Sequence, residues 1–330
     1  MYKQLLRPLL VLTSCLSLAW SNAIAQQDVY PSRKPIVLVS PYPAGGASDV
    51  LTRILGASMS KTLGQTVTVQ NQTGAGGTIG SRLVANAAPD GYTLLLHHFA
   101  MATGPYLYKD LQFDPLKSFE HIGLFAETAF VLVSGKQFPP NTMSEVVDYI
   151  KLNKEKVTFA TGGIGSGGHL FGIILEQLLG NKFTSVHYRG AAPAMVDVLG
   201  GRVDLLCDSP GPIKPHLQTG ALKAFALTGP NRLAGLPNIP TVAEARHKEL
   251  TMSLWYGLYA PRGTPKPIVD RISQALQTAM KDPAIAAQLE KIDTAVLAPD
   301  QGTPAALYKR LAAEMAQWGP VIAKAGVVPE

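Results

Sequence analysis

Short apolar runs alternate along the chain with longer segments in which apolar residues recur every three or four positions. The short runs are rich in Val, Ile and Leu and are bounded by turn-forming residues, a pattern that predicts buried β-strands. The predicted strands cover residues 36–40, 67–70, 93–96, 157–160, 185–188, 203–207, 222–227 and 256–260.

Segments with a helical period follow several of these strands. Apolar residues line one face in two of them: Val50, Leu51, Ile54, Leu55 and Met59, and then Leu170, Phe171, Ile174 and Leu178. Residues 143–152 and 267–280 show the same period, with polar residues on the opposite face. Strands that alternate with amphipathic helices predict an α/β architecture.

The chain is long enough for two lobes, since about 300 residues exceed the usual size of one hydrophobic core. Residues 118–133 and 222–229 are the two places where the chain could enter and leave a lobe. The predicted boundaries are therefore 26–125 with 228–330 for lobe 1 and 126–227 for lobe 2. Two lobes joined by two strands leave a cleft between them.

The first 25 residues have the features of a secretory signal peptide. Lys3 and Arg7 form a short positive region, residues 9–20 are mostly apolar, and residues 23–25 read Ala-Ile-Ala. We predict export and cleavage after Ala25. Lipidation at Cys15 is the alternative, although the apolar run ahead of this cysteine is short.

Charge and cysteine content narrow the function classes. Cleavage removes Lys3 and Arg7 and lowers the formal net charge from +6 to +4, and the remaining basic residues are scattered. Without a basic run, nucleic-acid binding has little support. Cys207 would be the only remaining cysteine, and its apolar surroundings predict a buried, inert thiol. An exported chain that lacks internal disulfides fits a periplasm.

Four predicted strand–turn–helix units have turns made of Gly, Ala and other small residues. They read PYPAGGASD at 41–49, NQTGAGGTIG at 71–80, TGGIGSGGH at 161–169 and RGAAP at 189–193. The first turn of a helix leaves N–H groups unpaired and carries a partial positive charge, and glycine lets a ligand approach these groups.

These turns predict a carboxylate site. The stretches 41–49, 74–80 and 161–168 contain no Lys or Arg, so the donors would be backbone amides and hydroxyls. The hydroxyls are those of Ser48, Thr78, Thr161 and Ser166. A small carboxylate suits such a site, because a few amides satisfy its two oxygens. In the alternative interpretation the glycines only permit tight connections.

Nucleotide binding is a second interpretation of the third turn. Gly163, Gly165 and Gly168 match G-x-G-x-x-G between a strand and a helix. The acidic residue expected after the next strand is absent, although Arg189 could meet a 2′-phosphate. An NADP-dependent oxidoreductase therefore stays as an alternative. No nucleophile elbow or helical His pair is present, so we predict no enzyme activity, no cofactor and no metal site.

Across the mature chain the sequence resembles the periplasmic receptors of tripartite tricarboxylate transporters, also called Bug proteins. The resemblance is carried by YPAGG at 42–46 with Asp49, GAGG at 74–77, PDGYTL at 89–94, Ser166 with HL at 169–170, YRG at 188–190, LGG at 199–201 with VD at 203–204, and PTVAE at 240–244. It implies a two-lobed Venus-flytrap fold with two hinge strands that closes on a small carboxylate. It also implies a non-enzymatic role, a periplasmic location and delivery of the ligand to a two-subunit membrane permease.

The resemblance further implies which residues bind the ligand. In lobe 1 the first turn supplies Tyr42, Pro43, Ala44, Gly45, Gly46 and Ser48, and the second supplies Gly74, Ala75, Gly76 and Thr78. In lobe 2 they are Thr161, Ser166, His169, Tyr188, Arg189 and Asp208.

Four of the charged and aromatic residues leave alternatives open. Arg189 could grip a carboxylate or cover the lobe edge, and Asp208 could contact a ligand hydroxyl or cap the next segment. Asp49 is expected to cap its helix rather than touch an anion. Trp255 is expected to pack in lobe 1, with contact to the cleft as the alternative.

The sequence departs from the family pattern after residue 96. The family commonly has small residues there, whereas this chain has His97, His98, Phe99 and Met101. Phe99 offers an aromatic face and His98 a donor, which predicts an aromatic mono- or dicarboxylate such as terephthalate. In the alternative, one histidine faces solvent and the other is hydrogen-bonded at a strand end. We expect a monomer, and a receptor that feeds a carboxylate-sensing kinase is a further alternative.

Overall fold

Each predicted strand is present, with ends shifted by three residues at most. The computed structural model describes residues 30–329, so the predicted signal peptide and Cys15 lie outside the described residues. The strands are β1 Ile36–Ser40, β2 Val67–Asn71, β3 Thr93–His98, β4 Phe119–Ala129, β5 Val131–Gly135, β6 Thr158–Thr161, β7 Thr184–His187, β8 Leu205–Asp208, β9 Leu222–Leu227, β10 Ser253–Pro261 and β11 Ala295–Val296.

The helices likewise include those predicted from the helical spacing of apolar residues. They are α1 Ala47–Leu63, α2 Thr78–Ala85, α3 Ala100–Leu107, α4 Met143–Asn153, α5 Gly167–Leu179, α6 Ala191–Leu199, α7 Pro210–Gln218, α8 Lys266–Lys281, α9 Pro283–Glu290 and α10 Pro304–Lys324. Short 3₁₀ turns lie at Ala75–Gly77, Lys154–Lys156, Lys248–Leu250 and Pro299–Gln301. Within residues 30–329, no helix is both long and apolar enough to span a membrane.

The strands form two mixed sheets, one in each lobe, as the α/β prediction requires. The first sheet has the order β11-β4-β10-β3-β1-β2, and the second has the order β7-β6-β8-β5-β9. In the first sheet β1 is parallel to β2 and β3, and in the second β6 is parallel to β7 and β8. Helices follow the parallel strands, so the turns after them gather at one edge of each sheet.

The chain passes between the sheets in two places. One residue, Phe130, separates β4 in the first sheet from β5 in the second. The return runs from β9 through residues 228–252 to β10. Strand β4 continues to Ala129, which is beyond the predicted boundary at residue 125. The lobe boundaries stay a prediction, because sheet membership does not show which residues move together when the lobes close.

The apolar faces read from the sequence are buried or half-buried, with one exception. Leu51, Leu55 and Met59 of α1 are at most 1 % exposed, and Phe171 of α5 is fully buried. Leu178 is 38 % exposed, because it lies in the last turn of α5, outside the core. Burial of one such side chain contributes about 1.5–3 kcal/mol.

Cys207 in β8 is a buried free thiol, as predicted. Burial raises its pKa well above the usual value, with a smaller contribution from the neighbouring Asp208. A thiol held in the protonated form is a poor nucleophile, which agrees with a purely structural role.

Candidate functional site

The first two glycine turns leave the same edge of the first sheet. Residues Val39 and Gln70 face each other in the parallel pair of β1 and β2, so the turns that follow these strands begin side by side. The first turn enters α1 and the second enters α2 through the 3₁₀ turn Ala75–Gly77.

The second turn needs glycine for its backbone and for the space around it. Gly76 and Gly77 have φ angles of +61° and +95°, which side chains rarely adopt. A Cβ on Gly77 would lie 2.6 Å from Nε2 of His97, and one on Gly76 would collide with the hydroxyl of Tyr108. The backbone of this turn is therefore kept bare, as the carboxylate prediction requires.

Asp49 and Asn71 tie the two turns together. Asn71 Nδ2 donates to Asp49 Oδ1 at 2.8 Å and to the carbonyl oxygen of Tyr42 at 2.9 Å. Asp49 Oδ2 accepts from the amide of Gly45 and from Arg53 Nε, both at 2.9 Å. Burial raises the pKa of Asp49, but these hydrogen bonds outweigh burial and leave the pKa below its usual value. Asp49 is thus an ionised carboxylate that organises the turn.

The prediction that Asp49 caps α1 is wrong. Gly46 is the N-cap of α1 and has no side-chain cap, and Asp49 instead bonds the amide of Gly45 four residues back. A second link between the turns comes from Tyr42, whose hydroxyl donates to the carbonyl oxygen of Gly76 at 2.9 Å.

An aromatic stack stands behind the turns at the end of β3. The ring of His98 lies between Tyr42 at 4.5 Å and Phe99 at 5.2 Å, with interplanar angles of 18° and 19°. Phe99 is only 2 % exposed, because Phe130 packs against it from the connection between the lobes. Phe99 is therefore covered, and His98, which is half-buried, keeps more exposed surface than Phe99.

Ser48 and Tyr256 meet beside this stack. Their hydroxyl oxygens lie 3.2 Å apart, and Tyr256 packs its ring against the edge of His98 at 5.8 Å. Trp255 and Tyr256 are 0 % and 2 % exposed and belong to the core of the first sheet, so the packing role predicted for Trp255 is confirmed.

The turn after β6 forms the facing part of the second lobe. Thr161 Oγ1 accepts from the amide of Gly163 at 3.2 Å, and Ser166 Oγ caps α5 by accepting from the amide of His169 at 3.2 Å. His169 Nδ1 accepts from the amide of Gly165 at 3.1 Å. The two predicted hydroxyls therefore shape the turn. Thr161 Oγ1 also hydrogen-bonds to Nδ1 of His187 at 2.8 Å, whereas the hydroxyl hydrogen of Ser166 has no acceptor among the described residues.

Tyr188 and Arg189 follow β7 and have different surroundings. The hydroxyl of Tyr188 donates to Asp197 Oδ2 at 2.6 Å, and Asp197 also pairs with Arg202. Burial and the Asp197 carboxylate raise the pKa of Tyr188 to about 12. Arg189 is exposed, and no residue in the range 30–329 accepts a hydrogen bond from it. Of these two side chains, only the guanidinium is unpaired.

Asp208 lies at the end of β8, beside the third turn. Its Oδ1 accepts from the amide of Ser209 at 2.7 Å, whereas its Oδ2 is buried without a partner among the described residues. Burial raises the pKa of Asp208 to about 6. A carboxyl group in this state can accept or donate a hydrogen bond near neutral pH.

The structure brings the third turn against lobe 1. A Cβ on Gly165 would lie 3.1 Å from Cδ1 of Leu107 at the end of α3, and one on Gly167 would collide with the ring of Phe130. The hydroxyl of Tyr108 would also lie within 4 Å of a Cβ on either Gly76 or Gly165, so turns from both lobes lie close together, although their residues are far apart in sequence.

Two open cavities elsewhere suit an anion less well. One of about 380 Å³ is lined by Arg310 together with Glu127 and Glu314, and one of about 360 Å³ is lined by Arg232 together with Glu290 and Asp293. In both cavities the arginine is already paired with a carboxylate, Arg310 with Glu314 and Arg232 with Glu244, so neither arginine is free for an anionic ligand. The glycine turns lack acidic side chains apart from Asp49, whose charge is neutralised by Arg53.

Two residues of this region are absent from the ligand-binding set predicted from the sequence. Asn71 links the turns, and His97 lies 2.6 Å from the position of a Cβ on Gly77. An amide side chain at the end of a strand, ahead of a glycine-rich turn, is the signal that could have found Asn71. No local signal distinguishes His97 from His98.

Two α/β lobes joined by two crossing connections, with bare turns facing one another, define a solute-binding protein of the periplasmic type. The chain belongs to the tripartite tricarboxylate transporter family receptors (TctC), whose family model matches residues 51–327.

Similar proteins agree with this assignment. A UPF0065 protein in the TAR-I ttuE-ttuC' intergenic region of Agrobacterium vitis is 42 % identical over 317 residues, which are 96 % of this chain and 90 % of the relative. The structure of the periplasmic binding protein BugD has a TM-score of 0.79 and 40 % identity, and the match covers 90 % of this chain and 99 % of BugD.

Two similar structures contain a dicarboxylate. MatC from Rhodopseudomonas palustris, with bound malate, has a TM-score of 0.76 and 33 % identity over 88 % of this chain and 99 % of its own. Rpa4515 from R. palustris, with adipate, has a TM-score of 0.80 and 28 % identity over 91 % of this chain and 100 % of its own.

Proposed function

We propose that this protein is a non-enzymatic periplasmic receptor that captures a small organic dicarboxylate between its lobes and delivers it to a two-subunit permease. The pair of glycine turns in lobe 1, held together by Asp49 and Asn71, is the observation that carries the proposal. Their bare amides offer hydrogen bonds to one carboxylate group, and the turn at 161–169 offers the same from lobe 2.

Several of the ligand-binding residues predicted from the sequence would contact the ligand through their backbone amides and not through their side chains. Tyr42, Ser166 and Thr161 hold the turns in shape, and Arg189 is an unpaired cation for a second carboxylate. A few hydrogen bonds to charged groups, at roughly 1.5–3 kcal/mol each, suffice for the −8 kcal/mol or so that corresponds to a dissociation constant near ~1 μM.

Malate and adipate, the ligands of two similar proteins, support a dicarboxylate as the ligand class. An aromatic ligand such as terephthalate has weaker support, because the face of Phe99 is covered by His98 and Phe130. Terephthalate belongs in the same screen, since the edge of His98 can still donate a hydrogen bond.

A thermal-shift screen of the chain without its first 25 residues tests the proposal. Malate, adipate, terephthalate and benzoate would be compared with inorganic phosphate and NADPH. A ligand at about 100 times its dissociation constant adds roughly 2.7 kcal/mol, which raises the melting temperature by several degrees. Stabilisation by NADPH, together with its oxidation in the presence of a carbonyl substrate, would instead support the NADP-dependent alternative.

Transport and location need separate measurements. Uptake of the stabilising acid by cells that contain the permease should require this receptor, whereas a sensory role would change gene expression without uptake. N-terminal sequencing of the periplasmic protein should show Gln26 as the first residue. A lipidated Cys15 in the membrane fraction would contradict the cleavage site.

A further inference from the structure

Three histidines adjoin the glycine turns, two from lobe 1 and one from lobe 2. His97 and His98 end β3, and His169 lies in the first turn of α5. His97 and His169 are 2 % and 7 % exposed, and His98 is half-buried. Buried histidines at a ligand site act through whichever ring nitrogen carries the hydrogen.

Hydrogen bonds from backbone amides determine which ring nitrogen carries the hydrogen in all three histidines. His97 Nδ1 accepts from the amide of His98 at 2.7 Å, and His98 Nδ1 accepts from the amide of Ala100 at 3.1 Å. His169 Nδ1 accepts from the amide of Gly165 at 3.1 Å. An amide N–H can only donate, so Nδ1 carries no hydrogen and the ring hydrogen is on Nε2.

The three rings are uncharged at neutral pH. Burial lowers the pKa of His97 to about 3. Burial and the neighbouring His187 lower the pKa of His169 to about 4, and burial together with His97 places the pKa of His98 well below its usual value. Each ring therefore presents one N–H donor without a positive charge.

The three N–H donors lie next to the glycine turns. Nε2 of His97 lies against Gly77, and the ring of His98 is stacked between the rings of Tyr42 and Phe99, which fixes the direction of its Nε2. The hydrogen bond to Gly165 fixes His169 beside the turn of lobe 2. Among residues 30–329, no acceptor pairs with Nε2 of the three histidines.

We infer that the Nε2–H groups of His97, His98 and His169 are uncharged donors that read the carboxylate oxygens of the ligand and select a fully ionised dicarboxylate. The inference rests on the proposed function and adds the specificity determinants. Both oxygens of a carboxylate accept from such donors, whereas an ammonium has no acceptor and a primary amide has only one oxygen, so its N–H would meet another N–H and leave both unpaired. Amino acids and half-amides of the same length should therefore be rejected.

Two substitutions at His98 distinguish the contribution of the Nε2–H donor from that of the remaining ring atoms. His98→Gln retains an N–H near the position of Nε2, and His98→Asn retains an acceptor for the amide of Ala100 but has no distal donor. With malate and adipate as probes in titration calorimetry, we expect the Asn variant to lose about tenfold or more in affinity and the Gln variant to lose less. His247→Asn, on the connection between the lobes, is the matched control and should bind like wild type.

Nitrogen-15 NMR of histidine-labelled, ligand-free protein tests the tautomers without any ligand. We expect unprotonated Nδ1 and protonated Nε2 in the three rings, and movement of the Nε2–H resonances when adipate or malate is added. A ring with the hydrogen on Nδ1, a cationic ring at pH 7, or equal affinities of the Asn and Gln variants for a probe that binds would overturn the inference.

Failure of the proposed function is distinguishable from failure of the inference. If wild type binds neither malate nor adipate, the dicarboxylate function fails for these acids, and the NMR spectrum still decides the tautomers. If adipate binds but its half-amide binds equally well, the receptor function stands and the selection by uncharged donors is wrong.

Discussion

The residues at the two crossings between the lobes, Phe130 and Thr228, hydrogen-bond to each other. The amide of Phe130 donates to Thr228 Oγ1 at 2.9 Å, and the amide of Thr228 donates to the carbonyl oxygen of Phe130 at 2.9 Å. Thr228 Oγ1 in turn donates to the carbonyl oxygen of Met252 at 2.7 Å. One buried hydroxyl thus joins both connections, at the point about which the lobes would close.

Thr228→Val should destabilise the protein with little change in shape. The amide of Phe130 and the carbonyl oxygen of Met252 would lose a buried partner, at about 1–3 kcal/mol for each group. Urea unfolding measures the loss. Thr62→Val is the control, because the hydroxyl of Thr62 is exposed and bonds only within α1, so its effect should stay within about 0.5 kcal/mol. Equal effects of the two changes would contradict the role of Thr228.

Gly77→Ala should reduce both stability and carboxylate binding. The positive φ of +95° costs a side chain about 1–2 kcal/mol, and the new Cβ would also press on His97. Gly220→Ala isolates the backbone cost, because Gly220 has a φ of +69° and a Cβ added there would meet nothing within 4 Å. Melting temperature and adipate affinity are measured for both. An adipate affinity that Gly77→Ala leaves at the wild-type value would remove the second turn from the site.

Asn71→Ala should weaken carboxylate binding although Asn71 need not touch the ligand. The change removes the donors to Asp49 and to the carbonyl oxygen of Tyr42, so the two turns lose their link. We expect about a tenfold loss in affinity for adipate and a decrease of about 1–3 kcal/mol in the free energy of unfolding. Asn86→Ala is the matched control, since Asn86 is exposed at the end of α2. Unchanged affinity with reduced stability would limit Asn71 to a structural role.

The pH dependence of stability should change in Asp208→Asn. Burial raises the pKa of Asp208 from 3.8 to about 6 in the folded protein, so folding favours the protonated form. The stability that this group contributes is full below pH 3.8 and is lost as the pH rises through 6. An asparagine side chain does not ionise, so the Asp208→Asn variant does not lose stability in this way. Relative to wild type, the variant should therefore gain about 2–3 kcal/mol between pH 4 and pH 7.5.

Urea unfolding at several pH values measures this difference. Asp270→Asn serves as the surface control, because its carboxylate forms an exposed pair with Lys266. A constant difference between Asp208→Asn and wild type from pH 4 to pH 7.5 would show that Asp208 is not a buried acid.

Arg189→Gln should affect binding and leave stability unchanged. The guanidinium is exposed and pairs with no residue among 30–329, so the free energy of unfolding should move by no more than about 0.5 kcal/mol. If Arg189 binds the second carboxylate, the affinity for adipate should fall about tenfold or more and that for a monocarboxylate such as benzoate much less. Arg246→Gln, at another arginine of the surface, is the control. Equal losses for mono- and dicarboxylates would contradict this role.

Local patterns were enough to predict most elements and the four turns of small residues that join strands to helices. The β-strands at 36–40 and 222–227 match their prediction, because short apolar runs between turn residues leave few alternatives. β4 and β5 were recognised only as a crossing, and α10 was not predicted. A single residue, Phe130, divides two strands of different sheets, and no local pattern records which sheet a strand joins.

The sequence by itself determined the α/β class, the glycine turns after the strands and the family, since these depend on the order of residues along the chain. Only the tertiary structure decided which polar atoms remain available. The hydroxyl of Tyr188 is occupied by Asp197, the face of Phe99 is covered by His98 and Phe130, and Asp49 bonds Asn71 rather than capping a helix. Most of these contacts join residues on separate elements. Hydrogen bonding and burial depend on distances in space, which the spacing along the chain does not specify.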